Sequence, residues 1–433
     1  MHKRKITAIV LFIVLIAALS VGYACSPLKA KINQILFATP VYTALAGDEV
    51  MGLRQVITAD SHTSRTVMWQ SFAKRDDFVL EYGKDADSSL TAVQPSVQEL
   101  EADGKKLYVY SAEMTGLEPG TSYSWRVGHG DARTDWQTLT TEAKNSTDFK
   151  ALIFPDSQSS DYTDWEKLAN LAWDSNPDTD FFINLGDLVD NGYDLAQWDS
   201  WFTSVEPMAT KIPAAPIQGN HETYTTDWKV AMPTPYLTLF DLPSNGDDKY
   251  KNQYYSYDYG DVHFTVINTQ DDEMHEFQPD MMAAQLKWLE NDLASTDKKW
   301  KVVLMHRDVL VYGRDAKPLG DGEIAFSPQG ELFMPIFDKY NVDAVMTAHL
   351  HTYRRRVQLK NFKPDENGTL YILSGVAGNV RYPNLWHRNP LDAYVAPQPE
   401  TDNYIVLDAS EDKLTFNAYL PDNTMMDTVT LTK

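Results

Sequence analysis

Cysteine is almost absent: the 433 residues contain one, Cys25. A disulfide framework is excluded, so stability has to come from a buried core or bound ions. Basic residues are also scarce. Lys and Arg number 38 against 61 Asp and Glu, a formal net charge of -23. Such a chain has no basic surface to offset phosphate repulsion over a long contact, which excludes nucleic acid as a partner. Internal repeats and low-complexity tracts are missing too. What the chain does have is apolar mass. It is 43% hydrophobic and 12% aromatic, enough for a substantial core. Its length suits two domains plus a leader. Most of the carboxylates read as solvated surface, keeping a soluble protein apart by self-repulsion.

Residues 1–24 read as a signal peptide or anchor. His2-Lys3-Arg4-Lys5 is a basic start, Ile6 to Val21 is apolar apart from Thr7 and Ser20, and Gly22-Tyr23-Ala24 is a small-x-small cleavage site. The run is long for a cleaved signal and short for a spanning helix, so both readings stand. Either way the protein is expected to be exported (secreted, periplasmic or cell-surface), touching a membrane only through this segment. Cys25 follows the cut and invites lipid attachment, but Gly22 stands where a branched aliphatic residue is usual.

Residues 25–47 form a connector with weak patterning. From 48 to 142 the signal is all-β. Arg65-Thr66-Val67-Met68-Trp69, Phe78-Val79-Leu80-Glu81-Tyr82, Leu107-Tyr108-Val109-Tyr110 and Tyr123-Ser124-Trp125-Arg126-Val127 are short aromatic and β-branched runs separated by polar turns. That spacing predicts a sandwich. Gly116 to Tyr123 is similar to the corner of a fibronectin type III domain, where a Tyr hydroxyl bonds back to the backbone. Glu142 to Thr147 reads as a polar linker. From 148 to 433 apolar runs such as Ala151-Leu152-Ile153-Phe154 and Val302-Val303-Leu304-Met305 alternate with helical spacing, as in Met281, Met282, Leu286, Leu289 and Leu293. This predicts an α/β domain.

Five short motifs follow apolar runs in this second region: Phe154-Pro155-Asp156-Ser157-Gln158, Gly186-Asp187-Leu188-Val189-Asp190, Gly219-Asn220-His221-Glu222, His306, and Ala348-His349-Leu350-His351. Singly each is weak, since an Asp after a strand is often a helix cap. Together they supply carboxylates, an amide and imidazoles, the donors a pair of divalent metals needs. In α/β sheets such residues gather beyond the carboxyl ends of strands. The set points to hydrolysis of a phosphate ester by two bridged metals.

On these motifs, and on Tyr254 to Phe264, Gln285 to Leu289 and Tyr371 to Asn379, the chain resembles purple acid phosphatase-like proteins of the calcineurin-like metallophosphoesterase superfamily. The resemblance implies a sandwich of two mixed sheets flanked by helices, preceded by a fibronectin type III-like domain. It implies that Asp187 bridges two divalent metals, that Asn220, His306 and His349 complete the second, and that Asp156 and His351 belong to the first. A hydroxide bridging the metals would attack a small phosphate monoester. His221 would be the general acid, with Asp190 orienting it. The purple enzymes carry a ferric-iron-binding Tyr where this chain has Asp190, and the wider superfamily often has a His where this chain has Gln158. A colourless protein with a looser first metal is expected, with Gln158 as a possible extra ligand and Mn²⁺, Zn²⁺ or Fe²⁺ all suitable. Arg307 is expected either to hold substrate phosphate or to pair with Asp308. The Arg354 to Arg356 stretch is expected to be solvated or salt-bridged, and His263 to be a satisfied structural histidine. Trp165, Trp173, Trp198 and Trp201 are expected in the core. A phosphodiesterase or nucleotidase using the same site, and a non-catalytic surface binding protein, are the alternatives.

Overall fold

The computed structural model describes residues 29–37, 39, 46–86, 89–311, 313–314, 317–320, 322–382 and 389–433. The expected leader and Cys25 lie outside the described residues. Among the described residues no helix is long and apolar enough to cross a membrane. The segment expected as a connector holds a helix, α1 (Lys29–Phe37). Its pattern is weak because it has few anchors: Phe37 is fully buried against Phe72, and Lys31 pairs with Asp161 at 2.8 Å.

The all-β region forms β1 (Met51–Val56), β2 (Arg65–Ser71), β3 (Val79–Gly83), β4 (Thr91–Val93), β5 (Ser96–Ala102), β6 (Lys105–Met114), β7 (Ser122–His129), β8 (Ala132–Arg133) and β9 (Gln137–Thr140). One sheet runs β1-β2-β6-β5; the other runs β4-β3-β7-β8, with β9 on β7. Trp69, Phe78, Tyr110 and Trp125 fill the space between them. The expected corner is present: Tyr123 Oη accepts from the Glu118 N–H at 2.9 Å.

The remainder alternates as predicted: β10 (Phe149–Phe154), α2 (Thr163–Ser175), β11 (Phe181–Asn184), α3 (Leu195–Ala209), β12 (Pro213–Pro216), α4 (Thr234–Leu239), β13 (Tyr255–Tyr259), β14 (Val262–Ile267), α5 (Asp271–Met274), α6 (Met281–Ser295), β15 (Trp300–Met305), α7 (Pro328–Tyr340), β16 (Ala344–Thr347), β17 (Tyr353–Arg356), β18 (Leu370–Ser374), β19 (Asp392–Val395), β20 (Tyr404–Ser410), β21 (Lys413–Tyr419) and β22 (Met425–Thr432). Caps set the helix starts. Asp194 accepts from the second and third N–H groups of α3, and Ser327 accepts from Gly330 ahead of Pro328 at the first position of α7. Strands β10, β11, β14, β15 and β16 pair in parallel and are buried on both faces, which is why they read as unbroken apolar runs. On β15 the two faces separate cleanly. Val302 and Leu304 join the core between the sheets, whereas Val303 and Met305 pack with Leu289 of α6 and Phe333 and Phe337 of α7.

The second sheet is β13-β14-β15-β16-β18-β17-β19. The first is longer than a separate domain would give: β22-β21-β20-β10-β11-β12-β1-β2-β6-β5, ten strands. Strand β1 pairs in parallel with β12, Gln55 opposite Pro213. The boundary expected at 142–148 is therefore crossed by a continuous sheet. Glu142, expected in a polar linker, is buried, and its carboxylate accepts from the Gly260 N–H at 2.7 Å. Burial pushes its pKa up to about 7. Arg54 of β1 is also buried. Its guanidinium donates to the Leu239 carbonyl and lies over the Phe202 ring of α3 at 4.2 Å.

Candidate metal centre

Asp156, Asp187 and Asn220 follow the carboxyl ends of β10, β11 and β12, and His306 and His349 follow those of β15 and β16. The two sheets thus deliver their donors to one point. Asp187, His306 and His349 form one group whose ligand atoms lie within 4.8 Å of each other; Asp156, Asp187 and His351 form a second. Asp187 belongs to both, the position a bridging carboxylate occupies. His306 Nε2 lies 3.0 Å from Asp187 Oδ2 and 3.2 Å from Asn220 Oδ1. His351 Nε2 is 3.6 Å from Asp156 Oδ1.

Main-chain carbonyls fix the tautomers. His306 Nδ1 donates to Leu185 O at 2.8 Å and His351 Nδ1 to Val380 O at 2.8 Å. Each ring is left with its Nε2 facing the carboxylates, the orientation metal-binding histidines need. Asp156 Oδ1 and His349 Nδ1 are buried with no hydrogen-bond partner. Orphaned donor atoms in that number are costly unless something else pairs with them. The residues therefore fit a pair of divalent ions. The electrostatics agree. Burial pushes the Asp187 carboxyl up, yet His306, His221 and His349 hold it well below the usual carboxylate range. Burial pulls His306 down, but Asp187 and Asp156 raise it to about 9. The imidazolium thus offsets, within the protein alone, the charge a cation would offset.

The turns are tight. Asp187, His349 and His351 all have left-handed backbones, with φ of 49°, 75° and 49°. Such strain costs about 1–3 kcal/mol each and collects at functional sites. Gly186 has φ 92°, and a Cβ there would sit 2.5 Å from His306 Nδ1; one at Gly219 would sit 2.2 Å from Asp187 Oδ1. Only glycine lets these loops approach.

His221 comes to the same place. Its N–H donates to Asp187 Oδ1 at 2.8 Å. Its Nδ1 meets Asp190, the expected partner, but through the main-chain carbonyl at 2.7 Å; the Asp190 carboxylate is 3.5 Å away. Burial raises the Asp190 carboxyl, with the His221 ring opposing that shift. Gln158 is buried beside the first group, its Nε2 3.3 Å from His351 Nε2 and its Oε1 without a partner. Arg307 does not pair with Asp308. Its guanidinium binds Asp272 at 3.0 Å and Glu273 at 2.5 Å on α5, whose acidic first turn reaches it directly. Asp308 pairs instead with Arg356, which like Arg354 is fully buried rather than solvated.

Glu222 had no role in the sequence reading. It is fully buried and accepts from the N–H groups of Gly219 at 2.7 Å, Leu188 at 2.8 Å and Asp187 at 3.0 Å. One carboxyl thereby ties the β12 loop to the bridging-Asp loop. Burial, with the nearby Asp187 charge, pushes it up to about 8. Tyr224, Trp228 and Tyr382 were also unassigned. Tyr224 and Trp228 contact the His221 ring, and Tyr382 contacts the His351 ring.

Two sheets delivering this donor set define a metallophosphoesterase. The chain belongs to the calcineurin-like phosphoesterase family, whose model matches residues 134–353; the purple acid phosphatase N-terminal domain matches residues 51–141. Among curated proteins it is 28% identical over 313 residues to "Probable inactive purple acid phosphatase 1" of Arabidopsis thaliana, covering 63% of this chain and 49% of that one. It is 27% identical over 315 residues to "Purple acid phosphatase 22" of the same plant, covering 70% and 66%. The chain spans about half the length of the first relative. The fold matches the purple acid phosphatase PPD1 from yellow lupin (Lupinus luteus) seeds with a TM-score of 0.72 at 19% identity, covering 88% of this chain and 74% of that one.

Proposed function

We propose that the protein is an exported binuclear-metal phosphoesterase acting on small phosphate monoesters. The observation that carries this reading is the sharing of Asp187 by two donor groups with His221 fixed beside them. Asp187, Asn220, His306 and His349 would hold one ion, and Asp156, Asp187 and His351 the other. A half-turn of the Gln158 amide would add its orphaned Oε1 to the second set. Bound there, the ions supply Lewis acidity toward a phosphoryl oxygen and lower the pKa of water.

The chain's own residues would do the rest. His221 Nδ1 donates to the Asp190 carbonyl, so Nε2 is the nitrogen left to give a proton to the departing alkoxide. The Asp190 carboxylate lies 3.5 Å from the same Nδ1. His221 and Asp190 are not needed merely to hold metal, which speaks against a purely structural role. The test is to load the protein with Mn²⁺, Zn²⁺ or Fe²⁺ and assay mono- and diesters. Monoester turnover is expected, lost in His306→Ala and His349→Ala. Turnover that survives those changes refutes the two-metal reading, and turnover of diesters alone overturns the monoester preference. The loaded protein is expected to be colourless; a tyrosinate-to-iron absorption band would show that a Tyr ligates the first metal after all.

A further inference from the structure

Three large aromatic side chains are exposed among the described residues: Trp228, Phe277 and Tyr382. Two of the three touch imidazoles of the candidate site. Tyr382 lies with its ring centroid 4.5 Å from that of His351, and Trp228 meets the His221 ring edge-on at 5.8 Å. Tyr224 lies between, 5.2 Å from His221 and 5.9 Å from Trp228. Scattered surface aromatics would show no such association.

Trp228 is placed there at a cost. It is 57% exposed and has φ 61°. A bulky residue in the left-handed region is an outlier. The loop carrying it is nonetheless tightly made. Tyr224 and Val230 form an antiparallel bridge; Thr225 N–H donates to Lys229 O at 2.9 Å, Trp228 N–H to Thr225 O at 2.9 Å, and Ala231 N–H to Thr223 O at 2.8 Å. The β5–β6 turn of the β-module supports it from outside, through Asp103 to Thr226 at 3.4 Å. An exposed indole on a strained residue, carried by a loop closed by so many bonds beside His221, is built to present its face, not to fill a core.

We infer that Trp228 and Tyr224 form an aromatic wall for the leaving group, and that the preferred substrates are phosphate monoesters whose leaving group carries a neutral planar ring. This rests on the phosphoesterase reading, since the proposed acid His221 marks the leaving-group side. A ring stacked on the indole would gain face-to-face and edge contacts that a saturated ring of equal bulk cannot. The acidic chain disfavours a leaving group with further negative charge.

The test compares benzyl phosphate with cyclohexylmethyl phosphate, whose leaving alcohols are similarly basic and bulky but differ in planarity. For the metal-loaded protein kcat/KM is expected to favour the benzyl ester by about tenfold. In Trp228→Asn, a residue that accepts the left-handed backbone, the ratio is expected to fall to near one; in Trp228→Tyr it is expected to be retained. Calorimetry with benzylphosphonate and cyclohexylmethylphosphonate reads the same preference without turnover. Equal kcat/KM for the two esters, or a ratio unchanged in Trp228→Asn, overturns the inference alone. No turnover of either ester removes the monoester reading on which the inference rests, and the inference with it.

Discussion

At the scale of single residues, His221 is steadied by the main chain of Asp190 more closely than by its carboxylate. Asp190→Asn keeps that carbonyl, so a loss of only about tenfold in kcat is expected, against a loss on the order of 10²–10⁴ for His221→Ala. Metal content should stay intact in both, by metal analysis. Equal losses would mean that the carboxylate carries the proton chemistry. The candidate donors that the fold gathers were legible in the sequence because each sits in a short motif directly after an apolar run. Glu222 stood inside one of those motifs, yet its partners are four main-chain N–H groups, of Gly219, Asp187, Leu188 and Val189, which no side-chain pattern announces. Of the two roles expected for Arg307, the pairing with Asp308 is absent, because adjacency in sequence said nothing of α5, folded against it from 35 residues upstream.

At the scale of elements, His263 joins β14 to its neighbours. Nδ1 meets Asp258 of β13 at 2.7 Å and Nε2 meets Asp292 of α6 at 2.9 Å. Asp292 also accepts from Ser256 and Thr265, and Lys298 lies 3.9 Å from Asp258. Burial lowers the His263 pKa, but the two carboxylates outweigh it and raise it to about 9. The folded value lies above the unfolded one of about 6.5. The stabilisation is therefore fully present below about pH 6.5 and lost as pH rises through about 9, with a magnitude on the order of 2–3 kcal/mol. Urea melts across that window should show falling stability, with a shallower fall in His263→Gln. An unchanged slope in the variant would place the pH dependence elsewhere. The strands were legible as elements because burial on both faces leaves an apolar run. Helix α1 was not, because Ile35 and Leu36 face solvent and blur its period.

At the scale of the whole molecule, composition shifts between 142 and 148, and that shift was legible. The join was not, because pairing of Gln55 with Pro213 is a long-range register with no local signature. The consequence is testable by truncation. Residues 148–433 alone would expose the β12 edge and the ring of Phe202 that Arg54 now covers. An unpaired edge of that kind templates association. The fragment is expected to aggregate or melt well below the intact chain, as light scattering and calorimetry would show. A monomeric fragment of unchanged Tm would make the module a mere appendage.

The parallel pairing of β1 with β12 also has a temporal side. The two strands are separated by about 160 residues of chain, so during biosynthesis β1 leaves the ribosome roughly 8–30 s before its partner exists. For that interval the earliest-made strand of the ten-stranded sheet has one side without a neighbour. The order of synthesis thus runs opposite to the order of need: the part that seals the sheet is made first and must wait.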